Sequence, residues 1–250
     1  MAVFEKTIIL CRPETSMNIG AVCRAMANTG LSDLRIVGKK TDYNEADIFK
    51  LALHAGYIWR NARFFPPSIE GLKKAGSDCS ALAGTSRRSG QKRGAVWMTP
   101  EQLCAQREKF YGGRLGIVFG NERTGLTDEE ISVCTFFVNI PADDNFGSYN
   151  LSHAVLIISY LLYAAENNNN FVKPPFRKKA DLNCIRNASQ EICAYLTRMG
   201  MFKAGGKTEN ENFFTKLLSS AGASEFDTGH LTGIFKKIFY IKTAQPESFI

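Results

Sequence analysis

Short apolar runs alternate with helix-like segments through the first two thirds of the chain. The runs are rich in branched and aromatic residues and too short for helices, which is typical of buried strands. They predict strands at 6–11, 34–37, 63–65, 79–83, 115–119 and 136–140. Apolar periodicity and helix-starting residues predict helices at 19–29, 45–55, 67–76 and 151–163, with shorter ones opening at Thr99 and Thr127. This alternation predicts an α/β fold with a mostly parallel sheet and helices on both faces.

Capping residues and glycines indicate where several of these helices begin and end. Asn18 is expected to be the N-cap of the first helix, and Gly30 follows its last turn. Gly56 is expected to end the second helix in the same way. The turns after the fifth and sixth predicted strands are polar and contain glycine. Because the carboxyl ends of parallel strands share one edge of a sheet, these turns predict a small-ligand site there.

The composition changes after residue 165. Residues 166–180 are polar and contain two prolines, which is typical of a linker. Beyond them, three segments are helix-like and no further strand is predicted; they lie at 181–199, 209–221 and 228–240. We therefore predict an α/β domain at 1–165, a linker at 166–180 and a helical C-terminal extension at 181–250.

The charge balance indicates a polyanionic partner, but only weakly. The formal net charge is +7 and the pI is about 9.0. The C-terminal third is more positive per residue than the rest of the chain. Those charges could help to hold a polyanion, or they could form the solvated face of helices that pack on the main domain or on a second subunit. The sequence favours neither alternative.

Several other functions find no support in the sequence. The seven cysteines are dispersed without a Cys-x-x-Cys pair, and the three histidines share no ligand spacing, so no metal site is predicted. The phosphate-binding P-loop, the glycine-rich dinucleotide fingerprint and the Gly-x-Ser-x-Gly nucleophile turn are absent. No apolar stretch approaches the roughly 18 residues that span a bilayer. Cysteines within apolar segments suit a reducing compartment, so we expect a soluble, cytoplasmic protein without a membrane partner.

The first candidate site lies on the helix at 19–29. Gly20 and Arg24 are four residues apart and share one face, and Gly20 allows a backbone or a ligand to approach closely. Arg24 lies in an otherwise apolar helix, where an arginine needs anionic or polar partners. A structural interpretation is a buried salt bridge from Arg24 to a carboxylate such as Glu122. The functional interpretation is an arginine that acts on a ligand, and the motif alone leaves both open.

Two further candidates lie in the glycine-bearing loops. The turn 120–126 could wrap a small ligand with its backbone, while Glu122 orders the turn or pairs with Arg24. Ser148, Tyr149 and Asn150 stand at the start of the helix 151–163, where free N–H groups face outward. Simple helix capping explains these three residues as well as a ligand site does.

Taken in this order, the three motifs resemble those of the SPOUT superfamily of RNA methyltransferases. The similarity is to the TrmH-type ribose 2′-O-methyltransferases, in particular the TrmJ-like tRNA enzymes. It rests on Asn-Ile-Gly-Ala-Val-Cys-Arg at 18–24, Phe-Gly-Asn-Glu-Arg-Thr-Gly-Leu at 119–126, Ile-Pro-Ala at 140–142 and Ser-Tyr-Asn-Leu at 148–151. Ala-Gly-Thr-Ser at 83–86 is also similar. The resemblance covers about residues 5–165.

The resemblance implies a C-terminal trefoil knot in the α/β domain, which the general rule against threaded chains would have excluded. It also implies S-adenosyl-L-methionine as cofactor, no metal, and a homodimer whose second subunit completes the site. The implied cofactor-binding residues are Thr85, Ser86, Arg87, Gly120, Ile140, Gly147, Ser148, Tyr149 and Asn150. Arg24 would be the catalytic arginine, arranged with the substrate ribose by Asn18, Glu122 and Asn150. Tyr149 departs from the leucine that is more usual in the family.

The implied reaction moves a methyl group from a sulfonium to a ribose 2′-hydroxyl. Arginine is a poor general base, so Arg24 is expected to stabilise the developing alkoxide and the adjacent phosphate. The RNA backbone would be held by a basic loop; its contacts are assigned to Arg87, Arg88, Lys92 and Arg93. The expected substrate is tRNA, in the anticodon loop and with nucleotide 32 as the candidate. An rRNA substrate and a catalytically silent RNA-binding relative are the alternatives.

Overall fold

Seven parallel strands form one sheet in the computed structural model, which describes residues 4–87, 96–167, 177–202 and 206–244. Within these residues the strands are β1 (Glu5–Cys11), β2 (Leu34–Val37), β3 (Arg63–Phe65), β4 (Ala81–Thr85), β5 (Trp97–Met98), β6 (Arg114–Phe119) and β7 (Phe136–Val138). Their order is β3-β2-β1-β6-β4-β7-β5, and every neighbouring pair is parallel. The predicted mostly parallel sheet is confirmed.

Helices cover both faces of this sheet, as predicted. The described helices are α1 (Ser16–Asn28), α2 (Glu45–Ala52), α3 (Gly56–Arg60), α4 (Ile69–Ala75), α5 (Pro100–Ala105), α6 (Asp128–Val133), α7 (Leu151–Asn167), α8 (Leu182–Arg198), α9 (Lys207–Ser220) and α10 (Glu225–Ala244). One core cluster joins the sheet to α1, α2, α3, α5 and α7. A second cluster joins the other face to α4, α6 and the start of α8.

Strand β1 shows why the central strands carry continuous apolar runs instead of alternating apolar and polar residues. Ile8 and Leu10 face the first cluster, while Ile9 and Cys11 face the second. Successive side chains of a strand point to opposite faces, so a strand that is covered on both sides buries every residue. The continuous apolar run that predicted β1 from the sequence is therefore the signature of a two-sided core.

Three details differ from the sequence-based expectations. Thr15 occupies the N-cap position of α1, so Asn18 lies inside the helix and its side chain is free for other contacts. Gly56 begins α3 instead of ending the second helix, because the chain turns three residues earlier at Leu53, whose φ is 49°. The edge strand β5 was not predicted, since a two-residue pairing leaves no periodic pattern.

The amino-terminal edge of the sheet is closed by a network of ion pairs, here called the amino-edge network: Glu5, Asp33, Arg35, Arg63, Asp78 and Arg114. Arg35 is 1% exposed and its Nη2 donates to Asp33 Oδ2 (2.8 Å) and Asp78 Oδ2 (2.9 Å). Arg63 also pairs with Asp33, and Arg114 pairs with Asp78. Burial alone would raise the pKa of each aspartate, but the surrounding guanidinium groups lower both pKa values below the usual range.

The C-terminal helices pack on one another and dock on the α/β domain. The Lys179 amide donates to the Gly112 carbonyl (2.9 Å), and the Leu182 amide donates to the Cys79 carbonyl (2.6 Å). Leu182 itself is buried in the second core cluster. Helix α7 extends to Asn167, past the predicted start of the linker, and residues 168–176 lie outside the described part of the chain. Residues 177–180 are bound to the body of the protein, so the division at 166–180 stays a prediction.

No helix within the described ranges is long and apolar enough to cross a membrane.

Candidate active site

A cleft of about 290 Å³ lies at the carboxyl ends of the adjacent strands β6, β4 and β7. Three loops form its walls. They contribute Thr85–Arg87 after β4, Phe119–Leu126 after β6, and Ile140 with Gly147–Tyr149 after β7. The sequence assigned nine residues to the cofactor, and eight of them line this cleft: Thr85, Ser86, Arg87, Gly120, Ile140, Gly147, Ser148 and Tyr149. Asn150 does not line it.

The turn after β6 brings two stretches of backbone into direct contact. A Cβ atom on Gly120 would lie 2.2 Å from the carbonyl carbon of Gly125, so only glycine fits there. The Asn121 amide donates to the Gly125 carbonyl (3.2 Å), and the Gly125 amide donates back to the Asn121 carbonyl (2.8 Å). Gly125 has a φ of +68°, in the left-handed region that favours glycine. These contacts make the turn a small, closed unit with its backbone toward the cleft.

The loops after β4 and β7 are tied to each other across the cleft. Asn139 Nδ2 donates to the Ser86 carbonyl (3.0 Å) and to the Arg87 carbonyl (2.9 Å). The Arg87 guanidinium lies so close to Gly147 that a Cβ there would be 2.7 Å from Arg87 Nε. The hydroxyl of Tyr149 donates to the Pro141 carbonyl (2.9 Å). The tyrosine that replaces the usual leucine thus joins the two ends of its own loop.

Glu122, Asn18 and Asn150 form a continuous hydrogen-bonded chain beside the cleft. Asn18 Nδ2 donates to Glu122 Oε1 (3.0 Å), and Asn150 Nδ2 donates to Asn18 Oδ1 (2.9 Å). Asn150 Oδ1 in turn accepts from the Ser152 amide (2.9 Å), which caps the start of α7. Glu122 also accepts from the backbone amides of Glu14 and Thr15 at 2.8 and 3.2 Å. Three residues predicted to act together are therefore in contact, although they come from three distant segments.

Arg24 is not buried, and of the two interpretations left open for it, the buried salt bridge to Glu122 is wrong. Glu122 is satisfied by Asn18 and by backbone amides, while Arg24 is exposed on α1. Within the described residues, no hydrogen bond or ion pair joins Arg24 to another group. Arg24 follows Asn18 by six residues, or about 9 Å along a helix axis. Its neighbour Gly20 serves packing, since a Cβ there would lie 2.2 Å from the Ile48 carbonyl oxygen of α2.

Some site residues were missed by the sequence interpretation or cannot be placed. Asn121 lies in a quoted motif, but only the structure shows that its side chain holds the turn by accepting from the Arg123 and Thr124 amides at 3.0 and 3.2 Å. Of the residues assigned to RNA, Arg87 is exposed at the cleft. The other three, Arg88, Lys92 and Arg93, lie outside the described residues. The described ranges contain no group of three or more acidic, histidine or cysteine side chains placed for a metal ion.

The chain is similar to several RNA methyltransferases. It is 36% identical over 194 residues to the tRNA (cytidine-2′-O-)-methyltransferase TrmJ of Methanocaldococcus jannaschii, covering 77% of this chain and 78% of that one. It is 35% identical to the tRNA (cytidine/uridine-2′-O-)-methyltransferase TrmJ of Photorhabdus laumondii, covering 61% of each. The chain thus spans about three fifths of the length of the bacterial relative.

A solved structure extends the similarity to almost the whole chain. The crystal structure of TrmJ from Z. mobilis superposes with a TM-score of 0.70 at 25% identity, covering 95% of this chain and 99% of that one. The helical C-terminal region is therefore included in the match. The model of the SpoU rRNA Methylase family matches residues 5–160. These residues contain β1 to β7, all three walls of the cleft and the Glu122–Asn18–Asn150 chain, and by this match the chain belongs to the SpoU rRNA methylase family.

Proposed function

We propose that this protein transfers a methyl group from S-adenosyl-L-methionine to a ribose 2′-hydroxyl of tRNA. Family membership and the names of the TrmJ relatives support the reaction class. The observation that carries the proposal is the Glu122–Asn18–Asn150 chain, which links the turn of the cleft to α1 and to the start of α7. This chain joins the cleft to the helix that carries Arg24.

The lining of the cleft suits the proposed methyl donor. Apolar side chains from Leu126, Val138, Ile140 and Leu151 offer a surface for an adenine ring. The turn 120–125 and the loop at Gly147 offer backbone amides and carbonyls, which can hold the polar edges of the base and the ribose. A mixed surface of this kind fits a nucleoside attached to a charged amino-acid tail.

The bound donor supplies a methyl group on a sulfonium, which is already a good leaving group. The chain must therefore align the 2′-hydroxyl with that methyl group and stabilise the charge that develops on the oxygen. Arg24 is exposed, so its guanidinium is available to a ribose oxygen and its phosphate. The amides of Asn18 and Asn150 hold the start of α1 against the start of α7, which fixes the helix that presents Arg24.

The proposed homodimer has a suitable surface beside the site. Leu156, Tyr160 and Tyr163 are 39, 57 and 43% exposed, and their spacing places them on one face of α7. Helix α7 packs against α1, where Met17 is 47% exposed. Exposed apolar residues that cluster on one face are typical of protein interfaces. We place the second subunit on this surface, where it would also approach Arg24.

The knot is part of the same proposal. Strand β4 lies between β6 and β7 in the sheet although it precedes both in sequence, and the two loops that follow β6 and β7 line a common cleft. A trefoil crossing of these loops is consistent with the sheet order and with the family.

The cytoplasmic location also stays a prediction.

The substrate assignment favours tRNA over rRNA because the TrmJ relatives of M. jannaschii and P. laumondii are named as methyltransferases of tRNA cytidine and of tRNA cytidine or uridine. The anticodon loop and nucleotide 32 rest on the family analogy alone. Arg87 at the mouth of the cleft is the described residue best placed to touch the RNA backbone. An rRNA substrate is the second candidate, and the name of the SpoU rRNA methylase family supports it.

The proposal is tested by incubating the purified protein with methyl-labelled S-adenosyl-L-methionine and either total tRNA or rRNA. Label in a 2′-O-methyl nucleoside of tRNA, after digestion and chromatography, is the expected result. Label in rRNA alone would replace the substrate with the second candidate. Donor binding without transfer to either RNA would identify a catalytically silent binder and would overturn the proposed reaction.

A further inference from the structure

Two residues behind the turn 120–126 form a forked ion pair. Arg12 follows β1, and Glu130 lies in the first turn of α6. Arg12 Nε donates to Glu130 Oε1 (2.9 Å), and Arg12 Nη2 donates to Glu130 Oε2 (2.8 Å). Glu130 is only 4% exposed. A planar fork between guanidinium and carboxylate fixes orientation as well as distance, so this pair defines how the end of β1 faces α6.

The backbone of Arg12 is also unusual. Its φ is +52°, a strained conformation that non-glycine residues rarely adopt. The residue nevertheless makes contacts beyond the ion pair, and its Nη2 also lies 3.5 Å from the Gly125 carbonyl. Its amide donates to the Val37 carbonyl (3.0 Å), and its carbonyl accepts from Asn121 Nδ2 (2.9 Å). A strained residue that the structure holds at both backbone and side chain indicates a position with a specific task.

Arg12 is connected to the start of α1 through the segment that follows it. Residues 12–18 run from Arg12 to Asn18, and Glu122 holds the middle of this segment through the Glu14 and Thr15 amides. The turn 120–125 is closed on itself by its own Asn121–Gly125 hydrogen bonds. Loss of the Arg12–Glu130 pair would leave the turn formed and the Glu122 and Asn121 contacts in place, but it would remove the contact that fixes the start of the segment against α6.

We propose that the Arg12–Glu130 pair is a positioning pair that sets α1, and with it Asn18 and Arg24, against the donor cleft. The inference rests on the proposed methyl transfer. Neither residue lines the cleft, so the pair acts through the segment 12–18 and not on the donor itself. The pair thus fixes the geometry between the two halves of the site, one that holds the donor and one that presents the substrate ribose.

Two variants remove the fork in different ways. Arg12→Lys keeps the charge but cannot form two parallel hydrogen bonds. Glu130→Gln removes the charge but keeps a side chain that completes the capping box with Thr127 at the start of α6. A displacement of about 1 Å can cost up to about a hundredfold in rate. We expect each variant to lower kcat about tenfold or more while the Kd for S-adenosyl-L-methionine changes by less than about threefold.

The double variant and a matched control separate positioning from stability. Arg12→Lys with Glu130→Gln should be little worse than either single change, because both remove one interaction. Arg63→Lys makes the same chemical change in an ion pair with Asp33 at the opposite edge of the sheet. Its kcat should stay within about twofold of the parent. The folded fraction of each variant is measured by circular dichroism at the assay temperature.

The possible outcomes distinguish a positioning role of the pair from a purely stabilising one. A fall in kcat with donor affinity retained supports the positioning role. A kcat equal to that of the parent overturns it, and so does a loss that matches the loss of folded protein or of donor affinity, since the pair would then only stabilise the fold. If the parent protein itself transfers no methyl group to RNA, the proposed function fails, which is a different result from an unchanged kcat in the variants.

Discussion

The two edges of the sheet use polar side chains in opposite ways. At the amino-terminal edge, Arg35 is almost fully buried and shares Asp33 and Asp78 with neighbouring arginines. At the carboxyl-terminal edge, Glu122 is held by an amide side chain and backbone N–H groups at the start of α1, the helix on which Arg24 is exposed. The first edge pairs its charges internally and supports stability. The second leaves a cleft open, and the helix that begins beside it carries an exposed cation.

The largest expected effect on activity comes from Arg24, on the helix that begins at the carboxyl-terminal edge. Arg24→Ala should remove methyl transfer, by about a hundredfold or more, because the developing negative charge loses its stabilising cation. Binding of S-adenosyl-L-methionine should remain measurable by calorimetry, since Arg24 does not line the cleft. The matched control is Arg60→Ala, which removes another exposed arginine, on α3, and should retain activity. Near-normal turnover in Arg24→Ala would show that this edge works without that cation.

Two glycines of the turn provide the next test. Gly120→Ala should lower donor affinity by more than about tenfold, because its Cβ would collide with the Gly125 backbone that forms the cleft wall. Gly125→Ala meets no atom within 4 Å and strains only its own φ of +68°, a cost of about 1–2 kcal/mol. Its donor affinity should fall less. Calorimetric titration of both variants measures the difference, and an equal loss would mean that close backbone approach is not what shapes the cleft.

At the amino-terminal edge, a substitution should lower the stability of the protein and leave the rate of methyl transfer unchanged. Arg35→Met removes the buried partner of Asp33 and Asp78, but both carboxylates are partly exposed and keep Arg63 and Arg114, so the loss should be smaller than the roughly 3–5 kcal/mol of breaking a fully buried pair. Urea denaturation should show that loss, whereas kcat of the folded fraction should stay within about twofold. A large drop in kcat at full folding would mean that the two edges are coupled and that the contrast between them does not hold.

The smallest effect concerns pH. Arginine contacts hold the pKa values of Asp33 and Asp78 below the usual range despite partial burial. A carboxylate with a lowered folded pKa adds stability above its unfolded pKa of about 3.9 and loses it as the pH falls through the folded value. The free energy of unfolding should therefore decline on acidification below about pH 4. In Asp78→Asn that decline should be shallower, and an identical acid profile would exclude this aspartate as a contributor.

Local signals in the sequence predicted most of the elements but few of their contacts. The central strands were predictable because two-sided burial requires continuous apolar runs, as in β1 and β6. The end of the second helix was not, because Leu53 turns the chain with a left-handed φ for which its side chain gives no signal. Strand β5 was too short to show a period.

At the site, too, the residues were easier to predict from the sequence than their contacts. The residues of the cleft were identified because their motifs match those of a family, whereas patterns of polarity indicated only that a ligand site lies at the strand ends. The exposure of Arg24 was not predictable, since an arginine in an apolar helix can face either the core or the solvent. The Arg12–Glu130 pair joins residues 118 positions apart, and no local pattern reports a contact of that range.

The position of β4 between β6 and β7 has a consequence for how the protein matures. Both neighbours of β4 are made after it, and β1 must wait for β6, which follows more than a hundred residues later. Contacts of such separation are slow to form because a long loop must close first. The three walls of the cleft come together only when β7 has joined the sheet. Donor binding during refolding would therefore report the completion of the cleft, and a chain released before that strand would carry no methyl donor.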